Sequence, residues 1–244
     1  MINPMRLPQI TLFSLIVLIL SGCDWMPGKP KRADEYIRPE NITDFATLYN
    51  TNCASCHSLD SKTLAAARPL NDPVYVAFAG KDMIKKITSE GVDGTTMPAA
   101  LDSKGGNLTE KQIDIIVDGI IKSAGRLPDE KAKIPPYSAP LGDAKAGLKV
   151  YTEFCASCHG KDGNGGTLAG SIINSDYLAL VSDQTLRTTI VAGRTDLGMP
   201  DWQRLHQSKH MSNSDIADVV AWIASHRTET NLQLEQEAAT GDKP

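Results

Sequence analysis

The run Cys53-Ala54-Ser55-Cys56-His57 returns 102 residues later as Cys155-Ala156-Ser157-Cys158-His159, and forty residues after each histidine stands a methionine followed by proline, Met97-Pro98 and Met199-Pro200. Any fold open to this chain must therefore use one arrangement twice. The repeat reaches beyond the motif at the same offset. Tyr49 matches Tyr151, Tyr75-Val76-Ala77-Phe78 matches Tyr177-Leu178-Ala179-Leu180, Lys85 matches Arg187 and Gly91 matches Gly193, without net insertion. Two thiols three positions apart reach the two vinyl groups of one haem as thioethers, and the adjacent histidine can then place an imidazole nitrogen on the iron. A distant methionine can supply the sixth ligand, and His/Met ligation raises the reduction potential. The expected cofactors are two covalently bound haems c. Cys53, Cys56, His57 and Met97 would hold the first, and Cys155, Cys158, His159 and Met199 the second, with the histidines and methionines on iron.

Two other chemistries use Cys-x-x-Cys. A zinc site would have to bring both pairs together or recruit other ligands, and a thioredoxin-like redox pair needs only the thiols. Neither accounts for the histidine directly after each pair. Composition agrees with haem: aromatic residues make up only 5 % of 244 residues, which is thin for two small cores, and a covalent haem supplies an apolar centre that small domains otherwise lack. A formal charge of −4 indicates neither a nucleic-acid footprint nor a strongly polarised docking face.

Arg6 precedes an apolar run over residues 10–20 that ends in Leu20-Ser21-Gly22-Cys23. The run is short for a membrane span and suits the h-region of an export signal. Its last four residues resemble a lipobox, in which Cys23 is lipidated and becomes the mature N-terminus; four of the five cysteines are claimed by haem, and the fifth stands there. Asp24 resembles a signal for retention in the bacterial inner membrane, so the expected location is its periplasmic face. The expected organisation is a lipoprotein signal over residues 1–22, a lipid-anchored tether over 23–41, a first haem domain over 42–123, a Pro-rich linker over 124–142, a second haem domain over 143–228 and a polar tail over 229–244.

Each repeat reads as helical. Asp143 is a candidate cap for a helix running through Gly147, Val150 and Tyr151 into the cysteines. Thr109 and Ser212 or Ser214 are candidate caps for closing helices, in which Ile113, Ile116, Val117 and Ile120, and Ile216, Val219, Val220 and Ile223, recur with the i, i+3, i+4, i+7 spacing of a buried face. These stripes should cross the first helix of their own repeat, with Gly147 allowing close approach and Tyr151 or Trp222 filling the crossing.

A helix leading into Cys-x-x-Cys-His, a distal Met-Pro and an amphipathic closing helix resemble a class I c-type cytochrome, here duplicated as in two-haem periplasmic cytochromes. The resemblance covers residues 42–228 and implies an all-α fold of two tandem domains, each a small helical fold around one haem. It also implies a carbonyl acceptor for the haem imidazole from a proline twelve residues after the histidine. Pro69 holds that place after His57, whereas Ser171 stands there after His159. Asp72-Pro73-Val74-Tyr75 and Gly198-Met199-Pro200-Asp201-Trp202 resemble cytochrome subunits that accompany quinol-oxidising complexes. Met83 and Met211 read as packing. His206, His210 and His226 read as surface residues, with His206 or His210 the alternative ligands for the second iron. Arg68, Arg194 and Trp202 could reach haem propionates or serve as solvated arginines and a core indole.

The function this implies is transfer of single electrons between redox protein partners, a membrane quinol-oxidising complex and a terminal oxidase or soluble acceptor, by two six-coordinate haems with no open iron position. The alternative is a haem enzyme of the peroxidase or thiosulfate dehydrogenase type with a displaceable axial ligand. The latter resembles this chain in size but uses a cysteine on its active iron, and none is left over once Cys23 is lipidated. A ligand sensor would need a five-coordinate iron, which both Met-Pro elements oppose.

Overall fold

A computed structural model describes residues 35–59, 67–126, 133–205 and 209–227. The signal-like segment, Cys23, the first part of the tether, His206 and the polar tail lie outside the described residues. Two compact units divide after Asn41. In the first, the described residues form a single 3-10 turn, Pro39–Asn41. The second unit holds every α-helix of the described residues, and no strand occurs among them.

The helices start where the sequence supplies an acceptor for their unpaired N–H groups. In the first repeat, α1 (Phe45–Asn52) is capped by Asp44, whose carboxylate accepts from Thr47 N at 2.7 Å. Helix α2 (Pro73–Glu90) is capped by Asp72, with Pro73 in the first turn, where a missing N–H costs nothing. Helix α3 (Glu110–Ala124) opens on a reciprocal capping box between Thr109 and Gln112. In the second repeat, Asp143 caps α4 (Ala144–Phe154), and α5 (Ala156–His159) is the single turn of the second cysteine motif. Asn174 caps α6 (Ser175–Leu180) and Ser182 caps α7 (Asp183–Ala192). Ser212 rather than Ser214 caps α8 (Asn213–Ala224), in a capping box with Asp215.

Helix α2 and the pair α6–α7 are one element in two states of continuity. Within α2, Gly80 has φ 73° and ψ 162°, so the helix is broken there. The residue at the same place in the second repeat is Ser182, the cap of α7. A left-handed glycine and a serine cap are two solutions to the same change of direction.

In both repeats the first and last helices cross at a glycine, but on opposite partners. In the first, a β-carbon on Gly119 of α3 would lie 2.1 Å from the Phe45 ring of α1. In the second, a β-carbon on Gly147 of α4 would lie 2.0 Å from Asp218 O and 2.8 Å from Trp222 Cβ on α8. Phe45 and Gly147 are repeat equivalents. The large side chain thus comes from the first helix in one repeat and from the last helix in the other. Tyr151 stacks on Trp222 with ring centroids 4.2 Å apart, filling the second crossing as the sequence predicts. The stripe Ile113, Ile116, Val117 and Ile120 and the stripe Ile216, Val219, Val220 and Ile223 are buried.

The Pro-rich segment between the repeats is held by its carbonyls. Arg187, only 3 % exposed, donates from Nη2 to Pro136 O at 2.7 Å and to Asn213 Oδ1 at 2.6 Å, and from Nε to Tyr137 O at 3.1 Å. Gln184 adds a bond to Tyr137 O at 3.0 Å, and the Tyr137 ring lies 5.2 Å from that of Phe78 in α2. The repeat counterpart of Arg187 is Lys85, which stays at the surface and pairs with Asp114 and Glu110.

Gly147→Ala is expected to destabilise the protein by about 1–3 kcal/mol, the range for overpacking, despite the better helix propensity of alanine. Chemical denaturation followed by helix content checks this; a stability equal to wild type would mean the α4–α8 crossing has room to spare.

Candidate haem-binding sites

Each cysteine motif is wound into the same turn at the end of the first helix of its repeat. Cys53 N donates to Tyr49 O at 2.8 Å and His57 N to Cys53 O at 2.9 Å; in the second repeat Cys155 N donates to Tyr151 O at 2.8 Å and His159 N to Cys155 O at 3.0 Å. A buried tyrosine from the preceding helix locks each turn. Tyr49 OH donates to His57 O at 2.8 Å, and Tyr151 OH to Gly160 O. This is the reason Tyr49 and Tyr151 recur: a carbonyl at the exit of the turn would otherwise face the core without a partner.

The four motif cysteines are free thiols, in the place of the sulfurs that would become thioethers. Burial pushes Cys53 up to about 11 and Cys155 up to about 12. Thiols held protonated at neutral pH are unlike the depressed cysteines of redox pairs, which sit beside positive charge or helix N-termini. Among the described residues no group of three or more His, Cys, Asp or Glu forms a metal cluster, so the two pairs are not joined into one zinc site.

Both histidines are fixed through Nδ1. That of His57 lies 2.8 Å from Arg68 O and that of His159 lies 2.9 Å from Gly170 O. A carbonyl can only accept, so Nδ1 carries the proton and Nε2 keeps the lone pair that an iron requires. Burial, the larger influence, lowers the pKa of His57 against the opposing bond to Arg68 O, which favours the neutral ring. The acceptor is not the carbonyl of Pro69, as the resemblance implies, but the one before it. In both repeats it belongs to the residue eleven places after the histidine. Because the acceptor is a backbone group, the change from Pro69 to Ser171 leaves it in place. Ser171 instead donates from Oγ to Gly163 O at 3.1 Å, supporting its loop in the way the proline ring stiffens the other.

The Met-Pro segments are built on the ends of α2 and α7. Gly91 has φ 76° and Gly193 φ 71°, a region that favours glycine. A β-carbon on either would come within 2.7 Å of the carbonyl of Met97 or Met199. The chain then turns back on itself: Val92 N donates to Met97 O at 3.0 Å, and Arg194 and Met199 exchange N–H···O bonds of 2.9 and 3.0 Å. Both methionines are half-buried.

Arg194 forms a bidentate pair with Asp196, with Nε–Oδ1 2.9 Å and Nη2–Oδ2 2.7 Å, and this pair holds the Asp196 carboxyl below its usual range. Trp202 and Met211 are buried in the core, and Met83 packs against it. His226 is bonded through Nδ1 to Trp222 O at 2.8 Å, and His210 is exposed. Sequence reasoning named Arg187 only as the repeat match of Lys85, and did not single out Gly170 or the pairing of Phe45 with Gly119. The offset of 102 contained the signal for Gly170, since it repeats Arg68.

The residues suit haem c: two unbridged thiols and a histidine in one turn, an imidazole with its Nε2 lone pair free, and a glycine-tied Met-Pro loop. Helical folds of this kind, repeated in tandem, define a two-haem class I c-type cytochrome. The family described as cytochrome c oxidase, cbb3-type, subunit III matches residues 40–118 and again 142–223, and the chain belongs to that family. Its cofactor is covalently bound haem c, one for each repeat.

Among curated relatives, the cbb3-type cytochrome c oxidase subunit CcoP of Azospirillum sp. (strain B510) is 26 % identical over 215 residues, which are 79 % of this chain and 66 % of that protein. Subunit FixP of Bradyrhizobium sp. (strain ORS 278) is 29 % identical over 163 residues, 64 % of this chain and 53 % of that one. Subunit CcoP of Rhodobacter capsulatus (strain ATCC BAA-309) is 28 % identical over 193 residues, 74 % and 60 %. The chain thus spans between about half and two thirds of the length of these relatives. No helix among the described residues is long and apolar enough to cross a membrane.

Tyr49→Phe removes the donor to His57 O and is expected to cost about 1–3 kcal/mol, the penalty for a buried acceptor left unpaired. Equilibrium unfolding checks this, and no change would mean that water replaces the phenol.

Proposed function

We propose that the chain carries single electrons to a terminal oxidase or another redox protein on the outer face of the bacterial inner membrane. The observation that carries the reading is the equivalence of the two sites down to their backbone acceptors, Arg68 O and Gly170 O. Two sites built alike suit relay better than a division into one catalytic and one accessory centre. In this reading Cys53 and Cys56, and Cys155 and Cys158, attach the haems. His57 with Met97, and His159 with Met199, are the axial ligands. Each bound haem would cycle between ferrous and ferric iron. The chain's own part is to orient each imidazole through an Nδ1–H bond to a backbone carbonyl, to set the sites among its helices, and to hold each Met-Pro loop against a glycine so that the iron stays closed. Closed iron does no bond chemistry, so we take the protein to be an electron carrier and not itself an enzyme.

The same reading covers the outer parts of the chain. Residues 42–123 and 143–228 are taken as the two cytochrome domains, joined by 124–142, and Cys23 as a lipidated anchor, with signal and tail on either side. The relatives' names as oxidase subunits support a partner at the oxidase end of a respiratory chain, while the sequence phrases near Asp72 and Gly198 support a donor complex that oxidises quinol. Residues 24–41 fully extended span about 60 Å, enough for a tethered carrier to reach both.

Oxidised protein is expected to show the weak near-infrared band of methionine-to-iron charge transfer with the intensity of two haems. Met199→Ala should remove about half of it and open one iron to carbon monoxide. Stoichiometric carbon monoxide binding by the wild-type protein would favour the enzyme reading instead. For the anchor, a Cys23→Ala variant exported through an unrelated cleavable signal should remain two-haem and redox-active but leave the membrane fraction. Its retention in washed membranes would overturn the lipid tether.

A further inference from the structure

Arg68 belongs to both sites. Its carbonyl accepts from His57 Nδ1, while its side chain crosses to the second repeat, where Nη1 donates to Gly193 O at 3.4 Å. Gly193 is the glycine against which Met199 O closes. The guanidinium lies over the Tyr75 ring, with Cζ 5.1 Å from its centroid. A second bond crosses at the same place, from Thr195 Oγ1 to Asp72 Oδ2 at 3.3 Å. Arg68 is faced by His57, Tyr75 and Asp72 from its own repeat, by Tyr137 from the linker, and by Arg194 and Asp196 from the other repeat. Arg194 is committed to Asp196 in a bidentate pair, whereas Asp72 faces Arg68 without such a fork. At the equivalent place in the second repeat stands Gly170, which has no side chain to reach anything.

We propose that Arg68 is a positioning residue shared by the two haem sites, a single cation set between the histidine of one and the methionine loop of the other that raises the reduction potential of both. The proposal rests on the His/Met carrier reading above. Ferric haem carries one more positive charge than ferrous, so a fixed cation nearby disfavours the oxidised form, and it does so more strongly where water is excluded. A surface lysine does the same weakly, through solvent and salt.

The test is a spectropotentiometric titration of the full two-haem protein. Arg68→Gln keeps the backbone acceptor for His57 and removes the charge together with the bond to Gly193 O; both midpoint potentials should fall, and Arg68→Lys, which returns the charge without the guanidinium fork, should restore most of the shift. Lys85→Gln deletes an equal charge from the surface of the first repeat and should leave both potentials where they were. Asp72→Asn preserves the helix cap while removing the negative charge that faces Arg68, and should raise both. Arg68→Met, a second uncharged side chain of similar length, should give the same falls as Arg68→Gln and answers the question if that variant does not mature. A fall confined to one haem, no fall at all, or an equal fall in Lys85→Gln would overturn the shared role. The near-infrared band keeps this apart from the ligation it rests on: its absence from wild type refutes His/Met ligation, whereas an intact band with unmoved potentials refutes Arg68 alone.

Discussion

Everything in this structure hangs on two helix crossings that are closer than side chains normally permit. In each repeat the first helix crosses the last, with the middle helices and loops strung between them, and the glycine at each crossing brings backbone against ring or backbone. The cysteine turn leaves directly from the first helix, and the tyrosine that locks this turn is buried at the same level. The position of the thiols and imidazole therefore follows from where α1 meets α3 and where α4 meets α8. That the glycine sits on the last helix in one repeat and on the first in the other shows that the requirement falls on the sum of the two side chains rather than on either helix.

The parts legible in the sequence were those with a local cause. Caps at Thr109, Asp143 and Ser212, the apolar stripes of α3 and α8, and the approach at Gly147 follow from spacing and residue chemistry alone. The haem chemistry was legible because attachment needs a fixed spacing, and the family match over both repeats agrees with it. What the sequence left open depends on where the chain goes in space. The imidazole acceptor differs by one residue from the position that the resemblance implied, since a carbonyl belongs to the peptide before the proline that stiffens it. Lys85 and Arg187 align as like residues, yet one pairs with carboxylates in water while the other is sealed beneath the linker. Nothing in their immediate neighbours separates them. The difference comes from Pro136 and Tyr137 arriving from fifty residues away.

Burial acts on the two kinds of site group in complementary ways. It holds Cys53 and Cys155 as thiols and disfavours the charged form of His57. The same helices that would surround a haem thus suppress side reactions at the first cysteine of each motif, since a protonated thiol is slow to form disulfides.

Among the described residues, hydrogen bonds between the repeats run from the imidazole-acceptor segment of the first, at Arg68 and Asp72, to the methionine loop of the second, at Gly193 and Thr195. A two-fold pairing would have matched each patch with its own copy; this contact is head to tail. The reverse contact lacks the same side chains, since Gly170 stands at the place of Arg68 and Asp93 at the place of Thr195. The contact therefore settles which repeat lends its acceptor segment and which its methionine loop, an order that the near-identity of the two cysteine motifs does not itself impose.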